Sequence, residues 1–563
     1  MLKIKKILLH TMCVLLFAMV FFISAQVVYA DVLFESRRTE VVHENVIYDH
    51  IRQMTTRGML DVHVLLVPLN DPYIYIAPVA SRRAPGLRET TTNLLASAGA
   101  IAGINADFFG LAGSHSVHFG PMAAEGELLG ISTYTNHSRN EFAAFFLDFD
   151  NNVFFDYIHA DVRFYNNGAS NVTIASINNV GHEFRFPVII DRQLLTNTSQ
   201  LVDRFSGLVK IVVEYDYIVQ VTRQIVDVPE NGYVLVLPAH MNDTHRHRFN
   251  VGDSAELIVG NNLNIDFSNI QAAIGGGGTI LSRGRVVEGR GVAPNARHPR
   301  SAIGVTRDGN QLILMVVDGR SHSIGATHRE MANFLRRFDA WEAIHFDGGG
   351  SSTMAYRQVN GRYVVANTPS DGAQRRVVNV LGIFDSRGFQ YDPNAQILPR
   401  HQVVTRDRQR SSGGFHGAPG DRFSFAMPYV CECEYEYECY YEFEYSFTRE
   451  GPFSITRMTL AGGRLGTYQW GRFFNDIRSS SRRHVVIILD DNPLTAFRHD
   501  AEFELFHSAM ENLRDRGRTI YVVSATGEAR SIEIRDGIRY INLAETRPSI
   551  RFRTYGDEIW WSD

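Results

Sequence analysis

The sequence predicts an α+β protein with a mixed-sheet core, followed by a C-terminal β-rich and α/β accessory region. Three observations carry this reading. Short runs of β-branched and aromatic residues, separated by turn residues, fill most of the chain from residue 61. Helical periodicity is confined to a few segments: Thr90 to Gly99, the stretch after Thr327, and Ala501 to Arg516. Between 385 and 421 the composition shifts to Arg, Ser, Gly and Pro, which reads as a connection between two regions.

The segments follow in order. Residues 1–30 hold Lys3, Lys5 and Lys6, an apolar run from Ile7 to Ile23, and Val28-Tyr29-Ala30, the layout of a cleaved export signal. That run is shorter than the roughly 20 apolar residues of a membrane span, so no span is expected after cleavage. The mature chain is therefore expected to be secreted or extracytoplasmic and associated with the cell surface. Residues 31–60 read as a polar lead-in. The main domain is expected over 61–386, a linker over 387–421, and the accessory domain over 422–563.

Within the main domain, Asp61 to Pro68 and Tyr73 to Val79 read as strands, and Ile101 to Ile104 as a strand ending at Asn105-Ala106-Asp107. Residues 141 to 270 are strand-rich, with turn signals at Asn166-Asn167-Gly168 and Glu230-Asn231-Gly232. Gln311 to Val317 reads as a strand ending at Asp318-Gly319-Arg320. Thr327 and Glu330 have capping-box spacing, and Met331, Phe334, Leu335, Phe338 and Trp341 fall on one helical face. Ala343 to Phe346 is a strand running into Asp347-Gly348-Gly349-Gly350-Ser351-Ser352, and Val377 to Phe384 closes the unit. Further on, Val430 to Tyr445 alternates Cys, Tyr or Phe with Glu, which predicts a strand or hairpin with one acidic face. His484 to Leu489, the helix from Ala501, Thr519 to Ser524 and a hairpin about Asp536-Gly537 read β-α-β-β.

Composition removes several functions. With 56 basic against 61 acidic residues the net charge is −5, without the basic stripe of a nucleic-acid binder. Of four lysines only Lys210 lies beyond the signal, so an anion would be bound by arginine, in planar bidentate geometry. The four cysteines, Cys13 and the cluster Cys431, Cys433 and Cys439, do not make a disulfide framework. Asn136, Asn171, Asn197 and Asn242 stand in glycosylation sequons.

The chemistry concentrates at three strand ends: Asn105-x-Asp107, Asp318-Gly319-Arg320 and Asp347-Gly-Gly-Gly-Ser-Ser. Glycines after a strand let backbone N–H groups and a carboxylate face a ligand without Cβ obstruction. The Asp347 loop lacks the Gly-Lys-Ser/Thr of a phosphate-binding P-loop, and Gly275 to Gly278 lacks the dinucleotide fingerprint. Each motif alone also reads as ordinary Asp-Gly turn chemistry. Arg300 and Arg320 are candidates for anion recognition, and His298 for a substrate contact.

The segments INADFF, IGGGGTIL, HPRSAIGVTRDGNQLILMVVDGR, GATHREMANFLRRFDAWEAIHFDGGGSSTM and VVNVLGIF occur in that order. Together they resemble the phosphodiester glycosidase domain family over about 60 to 386. Asp107 departs from the glycine the family usually shows before the aromatic pair. The resemblance implies hydrolysis of a sugar-1-phosphodiester, with Asp347 and Asp318 as catalytic carboxylates. Asn105, Asp107, His298, Arg300, Arg320, Gly348, Gly349, Gly350 and Ser351 would bind substrate. A required cofactor is not implied; a divalent cation is compatible. The partner is a glycan or sugar phosphodiester, not a nucleic acid. The C-terminal part resembles a calcineurin-like metallophosphoesterase in which Asp490-Asp491 and Ala525-Thr526-Gly527 stand where metal-binding histidines belong, so a degenerate accessory domain is expected. Two other readings stay open: a non-catalytic binder of anionic glycans, and a metal-dependent phosphodiesterase using the Asp cluster.

Overall fold

The computed structural model describes residues 32–133, 142–241, 248–387, 400–402, 422–426, 445–450, 453–546, 549–555 and 558–562. The export signal, most of the 387–421 connection and the Cys-Glu-Tyr stretch before Tyr445 lie outside the described residues. Strands hold 46% of the described residues and helices 15%, so the α+β expectation is met with a strong bias to sheet.

A nine-stranded sheet forms the centre, and all of its pairings are antiparallel. One of its inner strands, Gly58–Pro68, shows how period-two alternation divides the molecule. Leu60, Val62 and Val64 face one way, into a core with Met331, Leu335 and Phe338 from the helix region. Leu65 and Val67 face the other way, against Ile104, Leu381 and Ile383 of a five-stranded sheet. Asp61 and His63 share that second face. A ten-stranded sheet built from residues 122–275 and a three-stranded one complete the main unit.

The helix His328–Arg336 starts as the sequence predicts: Thr327 caps the Glu330 N–H, and the Glu330 carboxylate returns to the Thr327 N–H. It ends one turn earlier than the apolar face suggests. Trp341 belongs instead to the strand Ala340–His345, under the Arg307 guanidinium. The helix Thr91–Ala98 has Thr90 as N-cap and Gly99 in the left-handed region as its stop.

The expected lead-in is not one. Val32–His43 and Val46–Thr55 are long strands that extend the central sheet. The polarity that hid them comes from their mixed burial: one edge row carries Arg37, Arg38 and Glu40, while Phe34, Val46, Ile51 and Met54 are buried.

Those strands also dock the C-terminal unit. There, Phe453–Met458, His484–Leu489, Thr519–Gly527 and Ile538–Ala544 pair in parallel, with helices Thr467–Ser479 and Asp500–Asp515. Asp536 and Gly537, both at positive φ, close the hairpin as expected. Val485, Ile487 and Leu489 face the helices; Val486 and Ile488 face Ile550 and Phe552. Phe34 and Met54 of the central sheet join the helix-side core, and Phe34 stacks on Phe474 at 5.3 Å between centroids.

This seam gives a stability prediction. Phe34→Ala removes a ring that is 3% exposed, and is expected to cost about 3 kcal/mol. Urea unfolding followed by far-UV circular dichroism would show it, and an unchanged midpoint would mean the two units are not joined through this contact.

Candidate active site

Two of the three strand ends singled out in the sequence, those at Asn105 and Asp347, meet at the Asn105 side chain. Its side-chain Nδ2 donates to the Asp347 carbonyl (2.7 Å), and its Oδ1 accepts from the Ser301 hydroxyl (2.7 Å) and the Thr353 N–H (3.0 Å). The Asp347 N–H donates to the Ala106 carbonyl (2.8 Å) and the Phe346 N–H to the Ser301 carbonyl (2.8 Å). Asn105 is 1% exposed with its amide fully engaged. It positions the Asp347 loop, rather than facing a ligand.

Asp347 emerges from this anchor at the start of the glycine loop. Burial pushes its carboxyl up to about 6, against the Ser351 hydroxyl, the Arg375 charge and the Gly348 N–H. Asp107 lies beneath, 1% exposed. Its carboxylate accepts the Gly120 and Phe108 N–H groups, both at 2.7 Å. Burial nevertheless raises it to about 7, and the Asp347 charge adds to the rise. Two neighbouring carboxyl groups are thus held near neutrality, an arrangement suited to acid–base work.

Two guanidinium groups flank the loop. Arg320, itself in the left-handed region at φ 67°, is exposed and lies over Gly349, where an added Cβ would stand 3.2 Å from Nη2. Arg375 lies over Gly350, where a Cβ would fall 2.2 Å from Nη2 and 2.1 Å from Asp371 Oδ2. Only glycine at 350 admits this approach. Arg375 is held by Asp371 (Nε to Oδ2, 2.9 Å). Sequence reasoning missed it; the signal was the pair Asp371 and Arg375 just ahead of the closing strand, which is no motif by itself.

The remaining expected residues divide. His298 faces Arg320 (Nδ1 to Nη2, 3.4 Å), and burial followed by the charges of Arg300 and Arg320 lowers its pKa. The N–H of Gly349 donates to the Pro299 carbonyl (2.9 Å), so it is spent within the loop. The Ser351 hydroxyl faces the Asp347 carboxyl, while the hydroxyls of Ser352 and Thr353 are buried and make no hydrogen bond among the described residues. Half-buried Phe108, Phe119 and Phe142 form an aromatic wall next to Asp107, with centroids 5.2 and 5.4 Å from Phe142.

Two residues are engaged differently from the expectation. Arg300 is buried and uses all five donors: Nε to the Ala326 carbonyl, Nη1 to the Val292 carbonyl and His328 Nε2, Nη2 to the Ala293 and Ala296 carbonyls. No donor is left for an anion, and Arg300 instead builds the 292–296 loop. Burial, with Arg320 nearby, lowers it to about 10. Asp318 belongs to a separate cluster: it accepts Asn367 Nδ2 and the Thr368 N–H, both at 2.8 Å, and faces His63 and His322. Burial pushes its carboxyl up, but the two histidines outweigh that and the net direction is down.

In the C-terminal unit the strand ends hold turns together. Asp490 accepts the Leu460 N–H (2.6 Å), and Asn542 Oδ1 accepts the Thr526 N–H (3.0 Å).

Fold and site together define a β-rich protein in which carboxyl groups with raised pKa stand beside a glycine loop flanked by two arginines. Residues 209–384 match the family model for phosphodiester glycosidase. An uncharacterised SPbeta prophage-derived protein, YomE of Bacillus subtilis (strain 168), is 42% identical over 103 residues, 17% of this chain and 15% of that protein. The N-acetylglucosamine-1-phosphodiester alpha-N-acetylglucosaminidase of Mus musculus is 44% identical over 100 residues, 16% of this chain and 18% of the enzyme. The chain thus spans less than a fifth of the length of these relatives. A crystal structure of a hypothetical protein from Synechocystis aligns with a TM-score of 0.47 and 20% identity, over 61% of this chain and 62% of that one. The family-model match and the sequence match to the Mus musculus enzyme support the phosphodiester glycosidase family for the segment they cover. The family-model match ends before the C-terminal unit and does not bear on it.

The raised carboxyl groups predict a stability profile. Asp107 and Asp347 hold protons more tightly folded than unfolded, so between their unfolded value of 3.8 and about 7 the native state binds more protons. Their contribution is full at low pH and is lost as pH rises through about 6 to 7. Urea titrations across that range should show unfolding free energy falling with pH, and Asp107→Asn should flatten the slope. An equal slope in the variant would contradict the assignment.

Proposed function

We propose that this protein is an exported hydrolase that cleaves a glycosyl phosphodiester, of the N-acetylglucosamine-1-phosphodiester type, in a cell-surface glycan or exopolysaccharide. The observation that carries the reading is Asp347, held near neutrality, between Arg320 over Gly349 and Arg375 over Gly350. The family-model match over 209–384 includes all three residues. Among the described residues, no helix is long and apolar enough to cross a membrane.

The chemistry follows from the bond to be broken. When a glycosyl phosphodiester is cleaved at the anomeric carbon, the leaving group is a phosphomonoester, a weak base that needs charge neutralisation more than a strong proton donor. Arg320 and Arg375 supply it from two sides of the loop. The anomeric carbon gains positive charge as the bond stretches, and the Asp347 carboxylate faces that charge or activates the water. Asp107 and Asp347 both titrate near neutral pH and repel each other when charged, so the pair favours one proton shared between the two. Phe108, Phe119 and Phe142 offer an apolar surface for a sugar face. The unbonded hydroxyls of Ser352 and Thr353 offer partners for phosphate or sugar oxygens.

The C-terminal unit acts in this reading as an accessory body without its own catalysis, since its strand-end Asp490 is used to hold the Leu460 turn.

The test is incubation of the purified mature chain with a sugar-1-phosphodiester such as a nucleotide-sugar, with the free sugar measured. Asp347→Asn is expected to lower kcat/KM by about 10³-fold. Arg375→Ala is expected to lower kcat by about 10²-fold, because the leaving-group charge is greatest in the transition state. Wild-type kcat/KM should rise with pH through about 6, as Asp347 ionises. Intact substrate bound without turnover would instead identify a glycan-binding protein.

A further inference from the structure

We propose that His50, Asp61, His63, Asp318 and His322 form a site for one divalent transition-metal ion, placed where the central sheet meets the C-terminal unit. The residues come together through strand register. His50 is the cross-strand partner of His63, and Arg52 of Asp61, in the pairing of Val46–Thr55 with Gly58–Pro68. Asp318 follows the next strand, and its N–H donates to the Asp61 carbonyl (2.9 Å). His322 reaches in from the loop that starts there.

The ligand-type atoms converge. His63 Nε2 lies 3.6 Å from Asp61 Oδ1 and 3.5 Å from Asp318 Oδ2. His322 Nε2 lies 3.1 Å from Asp61 Oδ2 and 3.5 Å from Asp318 Oδ2. His50 Nε2 contacts Asp61 Oδ1. Two ligands each about 2.1 Å from one ion, at a tetrahedral angle, stand roughly 3.4 Å apart. The atoms fall into two triads that share Asp61, one with His50 and His63 and one with Asp318 and His322, each with its ligand atoms within 4.8 Å of one another.

An independent observation is His63 itself. It is 2% exposed, yet its Nε2 makes no hydrogen bond and points at two carboxylates from beyond bonding distance. A network assembled for hydrogen bonding alone would draw that nitrogen closer. The surrounding shell has the form that orients metal ligands. The Tyr48 hydroxyl meets His63 Nδ1 at 2.7 Å, Ser321 Oγ meets His322 Nδ1 at 3.1 Å, and Asn367 and Thr368 hold Asp318. Arg52 Nε lies 3.3 Å from Asp61 Oδ2 and its Nη1 pairs with Glu504, so one cation already lines the site. Three imidazoles with two carboxylates suit zinc, manganese or iron rather than calcium, which takes oxygen ligands.

Such an ion would tie two strands of the central sheet to the loop 318–325. That loop also carries Arg320 to Gly349, so the ion's role would be to hold the geometry of the cleft. Arg464 of the C-terminal unit approaches the Ser321 carbonyl (3.5 Å), and His499 lies 6.0 Å from His322 between ring centroids, so that unit covers the site.

The test uses the full mature chain, stripped with chelator and reloaded with zinc or cobalt(II). About one ion per chain is expected by elemental analysis, with visible d–d absorption from the cobalt form. The double variant His63→Gln/His322→Gln should lose the ion, while Asp347→Asn and His507→Gln should keep it. The second control addresses the exposed group His507, Glu511 and Asp536. His50 is at the rim with 15% side-chain exposure, so His50→Gln should leave the fold intact by circular dichroism and weaken zinc affinity by at least about 10-fold. Failure of the wild type to take up stoichiometric metal, or unchanged affinity in His50→Gln, would overturn the proposal.

Discussion

The amide of Asn105 sits at the one point where the ends of separate strands must be held in fixed relation. A side-chain amide has few atoms to spend, and here Nδ2 fixes the Asp347 carbonyl while Oδ1 gathers Ser301 and Thr353. Each hydrogen bond adds only about 1 kcal/mol of net stability. Their geometric effect is larger. An Asp followed by three glycines has a backbone with great freedom, and such a carboxylate would wander without an anchor on both sides of it. The anchor leaves Asp347 as the first residue able to face outward. The placement of Asp347 therefore rests on a buried residue whose own amide faces inward.

The loop after Asp318 extends that constraint to the rest of the molecule. Gly319 packs so closely on Pro299 and Gly325 that a Cβ would come within 2.9 Å of each. The loop then sends Arg320 toward the glycine step and His322 toward Asp61. A shift of its backbone moves both side chains at once. Since Arg52 bridges to Glu504 and Arg464 reaches the loop at Ser321, the C-terminal unit bears on the same element. The C-terminal unit is thus joined to this loop and to the central sheet through a few polar contacts and the shared core around Phe34 and Trp470.

Local chemistry was legible in the sequence; burial and partner choice were not. The capping box at Thr327, the strand Gln311–Val317, the strand His484–Leu489 and the Asp536-Gly537 hairpin follow from residue periodicity and turn preference, and they occur where expected. Asp347 at a strand end was legible for the same reason. Arg300 was not, because nothing local tells that five acceptors will surround its guanidinium. The strands before residue 56 were hidden by their polar edge row, since alternation is obscured when one face carries charge. The His and Asp residues at 50, 61, 63, 318 and 322 have no motif spacing. They are brought together by cross-strand register, which a linear reading does not contain.

The two carboxylate clusters are opposite solutions to one problem. A buried carboxylate cannot stay charged without compensation, so it either keeps its proton or acquires cations. Around Asp107 and Asp347 the neighbours are backbone N–H groups, phenyl rings and a partly distant Arg375; the proton is retained, and both groups move toward neutrality. Around Asp61 and Asp318 stand three imidazoles and Arg52, and both carboxyls move below their usual range. Only the first environment leaves a carboxyl that can gain or lose a proton near physiological pH, as hydrolytic chemistry requires. The second holds its carboxylates permanently ionised, which suits charge binding and unsuits proton transfer. Asp347 and Asp318, identical in type and both placed after strands, therefore have different work to do because of what packs around them.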